Sequence, residues 1–561
     1  MKKSNIVLDK KSSQSNNNDR ESLQFTSERP LSNTETRILT GVRCDQTQGH
    51  RLHSQELRLY IKGASEDKGP IRTRPLFHSF VIIFYRWKFL GLAHIPTIGP
   101  SVPLLSYFGA YRFVHEAKDM LNEGYAKYKG GVFKIARADR WLVIVTGRRL
   151  IDEVRMMPED KMSFRDAVDD FFPLRYCFGP DIRENPFHVE LIRSQLTRQI
   201  ATMLEDVRDE ICASFDAYIP ASTNEWLPIS TLSTFQQIVA RVSSRVFVGL
   251  PMCHDKDYIN LAVMHTREIS RVRQAMNWLP QFMKPIAAHY MIDTKHGLSI
   301  GMKLLKPVIQ ERLDQMHKYG TDWPQKPNDM LQWVIEEITD QGKNIDHIIP
   351  YILFFNFVAI HSSSISFTHA LYHLAASPEY IAPLREEIET VVKQDGWTKL
   401  AMQKLKKVDS FMRESQRMNG INALSLSRMA KKDITLSDGT FIPTGTVIAA
   451  ASSATHLDSE NYTDPNVFDP WRFSSKREED GENARHQFVA TSTEYIPFGH
   501  GKHACPGRFF AANELKTMLA YTIVNYDVKF EGDIPRPQNV WHGNRVVPDT
   551  SVNVLFRKRV V

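Results

Sequence analysis

The sequence predicts one large, mainly α-helical domain with small β-sheets near both ends, and three observations carry that reading. From about Pro186 to Leu405 the hydrophobic periods are mostly helical. The run VFKIARADRWLVIVTG after Gly130-Gly131 alternates as a β-hairpin ending at Gly147. Short strand and turn signals return beyond Lys431, as in ITLSDGTFIPTGTVI, where Asp438-Gly439 marks a tight turn. Across 561 residues, 42% hydrophobic and 24% charged side chains are ordinary for a globular chain and exclude disordered, collagen-like and fibrous classes.

The segments follow in order. Residues 1–75 are rich in Ser, Asn, Gln and charge, have no sustained hydrophobic period, and read as a disordered polar leader. They hold 14 basic and 9 acidic side chains of a chain with net charge +7, so the rest is nearly neutral and gives no support to nucleic-acid binding. No apolar stretch near the start fits a cleavable signal peptide. Residues 76–103 form the second segment. Its apolar run, Phe80 to Tyr85, precedes Arg86, Trp87 and Lys88. The run is far shorter than the roughly 20 residues of a spanning helix. It reads as contact with a membrane interface, or else as a short buried strand or helix start. His94 to Pro103, with three prolines and a glycine, reads as a stiff hinge. The body, residues 104–561, opens with an expected helix through Ala117 to Tyr128. Within it, Ser474 to Gln487 reads as a charged surface insertion.

Cys44, Cys177, Cys212, Cys253 and Cys505 are widely spaced, odd in number and form no C-x-x-C pair. A disulfide framework or zinc cage does not fit this pattern, and a reducing, cytosol-facing compartment does.

Residues 498–511 read FGHGKHACPGRFFA, with an amphipathic helix expected to follow through Tyr521. Phe498, Gly501, Cys505, Gly507 and Ala511 fall at the spacing Phe-x-x-Gly-x-[Arg]-x-Cys-x-Gly-x-x-x-Ala. Glycines let a loop adopt positive φ and approach a flat group closely. A cysteine just before a helix N-terminus has its thiolate stabilised by the dipole and by free N–H groups. About 90 residues earlier, FMRESQR contains Glu414-x-x-Arg417, three apart on one helix face and within ion-pair reach. FDPWRF supplies Arg472 between them. On these three motifs, in this order, the chain resembles the cytochrome P-450 superfamily of haem-thiolate monooxygenases, over roughly residues 93–555.

The resemblance implies the cytochrome P-450 fold, with haem b between a distal central helix and a proximal cysteine loop. It makes Cys505 the axial iron ligand and Glu414, Arg417 and Arg472 a structural network behind the loop. Phe498, Gly501 and Gly507 would frame the haem. His503 stands where the family usually has an arginine for a haem propionate, and its charge would depend on pH. Arg428, His188 and Arg193 are further candidate propionate partners.

Residues 348–376 read IIPYILFFNFVAIHSSSISFTHALYHLAA, and the apolar half from Ile348 to Ile360 marks a buried helix, not a membrane span. The resemblance places this helix on the distal face of the haem. There the family has small-small-x-acid-Thr, an acid–alcohol pair that relays protons during dioxygen activation. Here Val358-Ala359-Ile360 precede His361-Ser362, so histidine replaces the acid and serine the threonine. Ser362 and Ser363 can bond back to carbonyls one turn earlier and bend the helix. His361 and Ser362 are therefore the candidate catalytic residues, His361 as a relay because free histidine titrates near neutrality. The bland alternative is a helix histidine bonded to its neighbours. His369 and His373 have metal-ligand spacing, but Ala370 follows His369 and no third ligand suggests itself, so no metal site is assigned.

The resemblance also implies NADPH, used indirectly through an NADPH-cytochrome reductase flavoprotein, at the cytosolic face of the endoplasmic reticulum membrane. Lys502, Arg508 and Lys516 are candidates for the docking face. The loop Ile421 to Arg428, a pocket-roof loop Phe164 to Cys177, and Phe355, Val358 and Ala359 imply an apolar pocket for a polycyclic or terpenoid small molecule. The wording of the motifs looks most like fungal secondary-metabolism members, including terpenoid and kaurene-type oxidases. The alternative is a haem-thiolate protein that binds or rearranges its ligand without reductase-driven oxygenation.

Overall fold

Alternating side chains build the first sheet of this computed structural model, which describes residues 91–560 except 103–104, 173, 277, 280–282, 292–293, 321 and 533. The polar leader, Cys44 and the apolar run Phe80 to Tyr85 lie outside the described residues. The main sheet has six strands in the order β1 (Thr97–Ile98), β2 (Val132–Ala136), β3 (Trp141–Val145), β9 (Val447–Ala451), β6 (Leu424–Ala430) and β4 (Met162–Ser163). A second sheet orders β10 (Tyr526–Phe530), β13 (Val554–Lys558) and β5 (Leu227–Ile229). Two hairpins pair β7 (Ile434–Thr435) with β8 (Phe441–Ile442) and β11 (Val540–His542) with β12 (Arg545–Val547). Period 2 divides the central strands between two cores. Phe133, Ile135, Leu142, Ile144, Val447 and Ala449 pack on one face, and Val143, Val145, Ile448 and Ala450 on the other.

The sequence hairpin is found as antiparallel β2 and β3, and the Asp438-Gly439 turn joins β7 to β8 with Gly439 at φ 87°. The helices that position the site are α1 (Phe164–Phe171), α2 (Thr197–Tyr218), α3 (Thr231–Phe247), α4 (Lys256–Met276), α5 (Ile348–Ala376), α6 (Lys406–Met418) and α7 (Arg508–Asn525). α5 runs through the largest hydrophobic core and packs against α3, α4, α6 and α7. It is the one described helix long and apolar enough to cross a membrane, and burial in the core accounts for its composition.

Five expectations are corrected. Thr97–Ile98 pairs in parallel with β2, so the folded body begins inside the Pro-rich stretch read as a hinge. Ile421 to Arg428 is not a loop: most of it is strand β6, paired on one edge with β9 and on the other with β4. Phe164 to Cys177 is largely helical, opening at α1, whose first turn Ser163 caps by accepting from the Asp166 N–H at 3.0 Å. α7 is not amphipathic but buried on nearly every side. The 474–487 insertion is not wholly surface, since Arg477 is buried and paired with Asp409 at 2.9 Å.

The Glu414 carboxylate ties these parts together. It accepts from Arg417 Nε at 2.8 Å and Nη2 at 2.7 Å, and from Arg472 Nε at 3.1 Å. Glu414 and Arg417 side chains are fully buried. Glu414→Gln would leave two guanidinium groups without their counter-charge and should cost about 3–5 kcal/mol in denaturant unfolding. A loss below about 1 kcal/mol would show that the carbonyl partners of the two arginines suffice.

Candidate active site

The cysteine loop closes on itself before α7 starts. Cys505 N–H donates to Phe498 O at 2.7 Å, and Ala504 N–H to Gly501 O at 3.0 Å. Gly501 has φ 75°, and a Cβ there would come within 2.4 Å of Arg155 Cγ, so glycine is required twice over. Gly507 differs. Its φ is −84° and a Cβ would meet only Ile192, at 3.8 Å, so the protein alone does not require glycine there. The bare backbone beside the thiol fits a flat group lying against it.

Cys505 is accessible, yet the protein around it is dense enough that desolvation is the largest influence and raises the thiol pKa. The N–H groups of Gly507 and Arg508 and the Arg508 guanidinium act in the opposite direction, toward thiolate. The loop is anchored from behind. Ile496 N–H donates to His456 Nε2 at 3.0 Å, and Ser425 Oγ donates to Ile496 O at 2.8 Å. The His456 carbonyl in turn accepts from Arg417 at 2.6 Å. The Glu414 network thus reaches the cysteine loop through one histidine.

Arg428 stands in the buried register of β6 and is 1% exposed. A bulge between Ser425 and Arg428, with Leu426 at φ 55°, re-aims the strand, as bulges beside sites do. Among the described residues, Nη1 bonds only the Ser427 carbonyl, and Nε and Nη2 have no partner. The guanidinium lies over the Phe164 ring at 5.4 Å, and that ring stacks on His503 at 5.0 Å. Burial pushes the Arg428 pKa down to about 10, so it stays cationic. A buried cation with orphan donors is costly unless an anion completes it. A haem propionate has the right charge and acceptors, so the residues present fit the group.

His503 lies 3.3 Å from Glu159, and burial with Arg428 nearby pushes its pKa down to about 4. It is neutral at pH 7, which corrects the expected charge switch near neutrality. Arg193 is exposed and donates to Lys502 O at 3.2 Å, holding the loop from outside. His188 sits on the α5 side of the site. It is buried against Tyr351 and Phe354 of α5, with Nδ1 unpartnered and a pKa pushed down to about 4 by burial.

On α5, Ser362 Oγ donates to Val358 O at 2.8 Å, the back-bonding expected of it. Val358 is 39% exposed, and Ala359 and Ser362 are half-buried, so one stripe of an otherwise buried helix is open. Phe355 does not share it. This ring is 1% exposed and packs on Phe247 and His188. His361 accepts from Arg545 Nη2 through Nε2, and burial, then Arg545 and Arg273, push its pKa down to about 3. The premise of near-neutral titration is therefore corrected: His361 is a neutral imidazole. Glu514 of α7 accepts from Ser243 Oγ at 2.9 Å, and burial raises the pKa of its carboxyl to about 7.

His369 accepts from Arg536 at 2.9 Å, and His373 bonds Asn419 at 2.7 Å, so both belong to a buried polar network. Lys516 is removed from the docking face, being buried and paired with Asp409 at 2.8 Å. Arg545 and Arg273 are the residues sequence reading missed, because nothing local marks them.

A cysteine offered at a helix N-terminus, an orphan arginine above its loop and a central helix with an open small-residue stripe define a haem-thiolate protein. Comparison with known proteins agrees. The family profile described as Cytochrome P450 matches residues 96–556. The chain is 48% identical over 492 residues to Cytochrome P450 monooxygenase 151 of Postia placenta, covering 86% of this chain and 99% of that protein. It is 36% identical over 483 residues to Cytochrome P450 monooxygenase CYP512U6 of Ganoderma lucidum, covering 85% and 95%. It is 28% identical over 495 residues to Ent-kaurene oxidase P450-4 of Gibberella fujikuroi, covering 85% and 97%. This chain belongs to the cytochrome P450 family and is a monooxygenase, with the thiolate-ligated haem iron that membership implies.

The histidine shifts set an acid limit. His361 and His456 titrate at about 3 and His188 and His265 at about 4 in the fold, all below the usual 6.5. Below pH 6.5 the unfolded chain binds more protons at these sites, so their stabilisation is present above 6.5 and lost as pH falls toward 3. Each contributes a slope of about 1.4 kcal/mol per pH unit once fully in that window. Denaturant unfolding of His361→Asn between pH 7 and 5 should show a flatter pH slope than wild type. An unchanged slope would mean His361 is not held neutral.

Proposed function

We propose that this monooxygenase takes NADPH-derived electrons from an NADPH-cytochrome reductase flavoprotein at the cytosolic face of the endoplasmic reticulum membrane. Its substrate is a hydrophobic small molecule of the terpenoid secondary-metabolite type, which it hydroxylates or further oxidises. The observation that carries the reading is the cysteine loop, with Cys505 accessible in front of α7 and two backbone N–H groups directed at its sulfur. In this reading haem b, ligated by the Cys505 thiolate, supplies the binding and reductive activation of dioxygen. Phe498, Gly501 and Gly507 shape the loop around the thiol. Arg428 holds the anionic edge of the haem, with neutral His503 as a hydrogen-bond donor beside it. The exposed Lys502 and Arg193 offer positive charge to the reductase.

His361 and Ser362 are proposed as the proton-delivery pair. Ser362 Oγ gives its own proton to the Val358 carbonyl and keeps lone pairs to accept from a water. Neutral His361 accepts from Arg545 Nη2 through Nε2, with Nδ1 3.4 Å from the same nitrogen and carrying the ring proton. The open stripe at Val358 and Ala359 supports an apolar ligand, and the ent-kaurene oxidase relative supports a terpenoid one.

The reduced carbon monoxide complex should show the red-shifted Soret band of thiolate ligation, and Cys505→His should lose it while keeping bound haem. An unshifted band in folded wild type removes Cys505 from its role. Steady NADPH consumption with reductase and a terpenoid panel separates this reading from a haem-thiolate protein that only binds or rearranges its ligand. Ser362→Ala should lower product per NADPH by about tenfold and raise peroxide correspondingly. Wild-type coupling in Ser362→Ala and His361→Ala together would route the protons elsewhere.

A further inference from the structure

Two guanidinium groups beside α5 have no carboxylate partner among the described residues. Arg545, at the start of β12, directs Nη2 at the His361 ring and leaves Nε unpartnered. Arg273, near the C-terminal end of α4, lies 3.8 Å over the Phe172 ring and makes no ion pair. Phe172 packs edge-on against Phe357 of α5 at 6.1 Å. Phe357 and His361 are four apart on that helix and share a face. Arg273, Phe172, Phe357, His361 and Arg545 therefore form one continuous wall, apolar in the middle and cationic at the edge.

The cleft that Arg273 lines also holds two carboxylates, each already paired: Asp169 with Arg183 at 2.5 Å, and Asp170 with Arg137 at 3.0 Å and Arg140 at 2.8 Å. His361 feels Arg545 and Arg273, and Arg273 feels Arg545 and Arg137. Of these, Arg137 is the one already neutralised, by Asp170 at 3.0 Å. Arg273 and Phe172 border open space themselves, and Arg545 is adjacent to it through its chain neighbours. Gln274, next to Arg273, and Gly543 and Asn544, next to Arg545, line one cleft with Phe171 and Leu424. Arg273 and Phe172 line the cleft adjoining it, which shares Phe171. Arg545 is separate from the arginine of the cysteine loop, because Arg428 meets that loop through Phe164 and His503, whereas Arg545 meets α5.

We propose that Arg273 and Arg545 form an anion subsite for a carboxylate on an otherwise apolar substrate, so that the substrate is an apolar acid. Guanidinium forks match the planar carboxylate, and desolvated cations whose neighbouring carboxylates are already paired select a ligand that brings one. Phe172 and Phe357 would take the adjacent hydrocarbon. His361 fixes the direction of Arg545 by accepting its proton-bearing nitrogen, and adds no charge. The inference rests on the monooxygenase reading in that the ligand is that site's substrate.

The test is a spectral titration of the haem-loaded full chain at pH 7.5 with lauric, abietic and oleanolic acids, each against its methyl ester. At least one acid should bind about tenfold more tightly than its ester, the scale of hydrogen bonds to charged groups. Arg273→Gln and Arg545→Gln should each bring that ratio close to one, and Arg545→Lys, which keeps the charge, should retain part of it. A panel in which no acid outbinds its ester, or a preference that survives both Gln variants, overturns the subsite. The red-shifted carbon monoxide band is read on every sample. A normal band without acid preference defeats the subsite alone, and its absence from wild type defeats the monooxygenase reading and the subsite with it.

Discussion

The buried Glu414 carboxylate is the constraint on which the rest of the site depends. Its two oxygens hold Arg417 and Arg472, and the remaining guanidinium N–H groups reach carbonyls of His456, Pro465, Thr463 and Asp464. Six donors from two cations are thereby satisfied with one formal negative charge, in a place where water cannot help. The order of dependence runs outward. Glu414 orients Arg417, Arg417 holds the His456 carbonyl, and the His456 ring receives the Ile496 N–H at the entrance to the cysteine loop. That the His456 ring stays neutral, with its pKa pushed down to about 3 by burial and by Arg417, is what leaves Nε2 free to accept. The thiol that defines the chemistry is thus positioned by an ion pair 91 residues earlier in the sequence.

The parts legible in the sequence were those set by local rules. Gly501 needs positive φ and clearance from Arg155, α5 needs an unbroken apolar run to cross the core, and Glu414 and Arg417 need three-residue spacing to meet. Each leaves a mark within a few residues. Strand β6 was misread because a charged Arg428 in a buried register, after a bulge, breaks the hydrophobic alternation that announces a strand. α7 was misread because Glu514 and Lys516 look like a solvated face. They are in fact matched by Ser243 and Asp409, residues more than 100 positions away. Long-range partners decide burial there, and no window of sequence contains them.

Buried charge follows two patterns in this molecule. In the first it is closed: Arg312 meets Asp329 at 2.6 and 2.7 Å, Asp409 serves both Arg477 and Lys516, and Glu210 accepts from Arg241 at 2.6 Å. These pairs fix helices to one another and leave little capacity to bind anything else. In the second it is open. Arg428 near the cysteine loop and Arg545 and Arg273 near α5 keep donors or charge that the chain does not cancel. Unsatisfied buried polar groups are uncommon in folded proteins, and where they occur together they mark places built to be completed by a ligand.

A histidine at position 361, where the family resemblance leads one to expect an acid, makes sense in these terms. A carboxylate there would stand within reach of Arg545 and form a closed salt bridge with it, cancelling the charge that faces the cleft. A neutral imidazole accepts the same hydrogen bond and holds the guanidinium in the same direction, but leaves its full positive charge in place. The neighbouring cations enforce that neutrality, since a protonated His361 beside Arg545 and Arg273 would be a third positive charge in a poorly solvated place. The substitution therefore does two things at once. On the proposed reading it leaves Ser362, and a water it would hold, as the hydroxyl partner in proton handling. It also preserves a positive field beside the open stripe of Val358 and Ala359. If both proposals hold, the proton path and substrate selection share the His361 side chain, and a change there should be read for both.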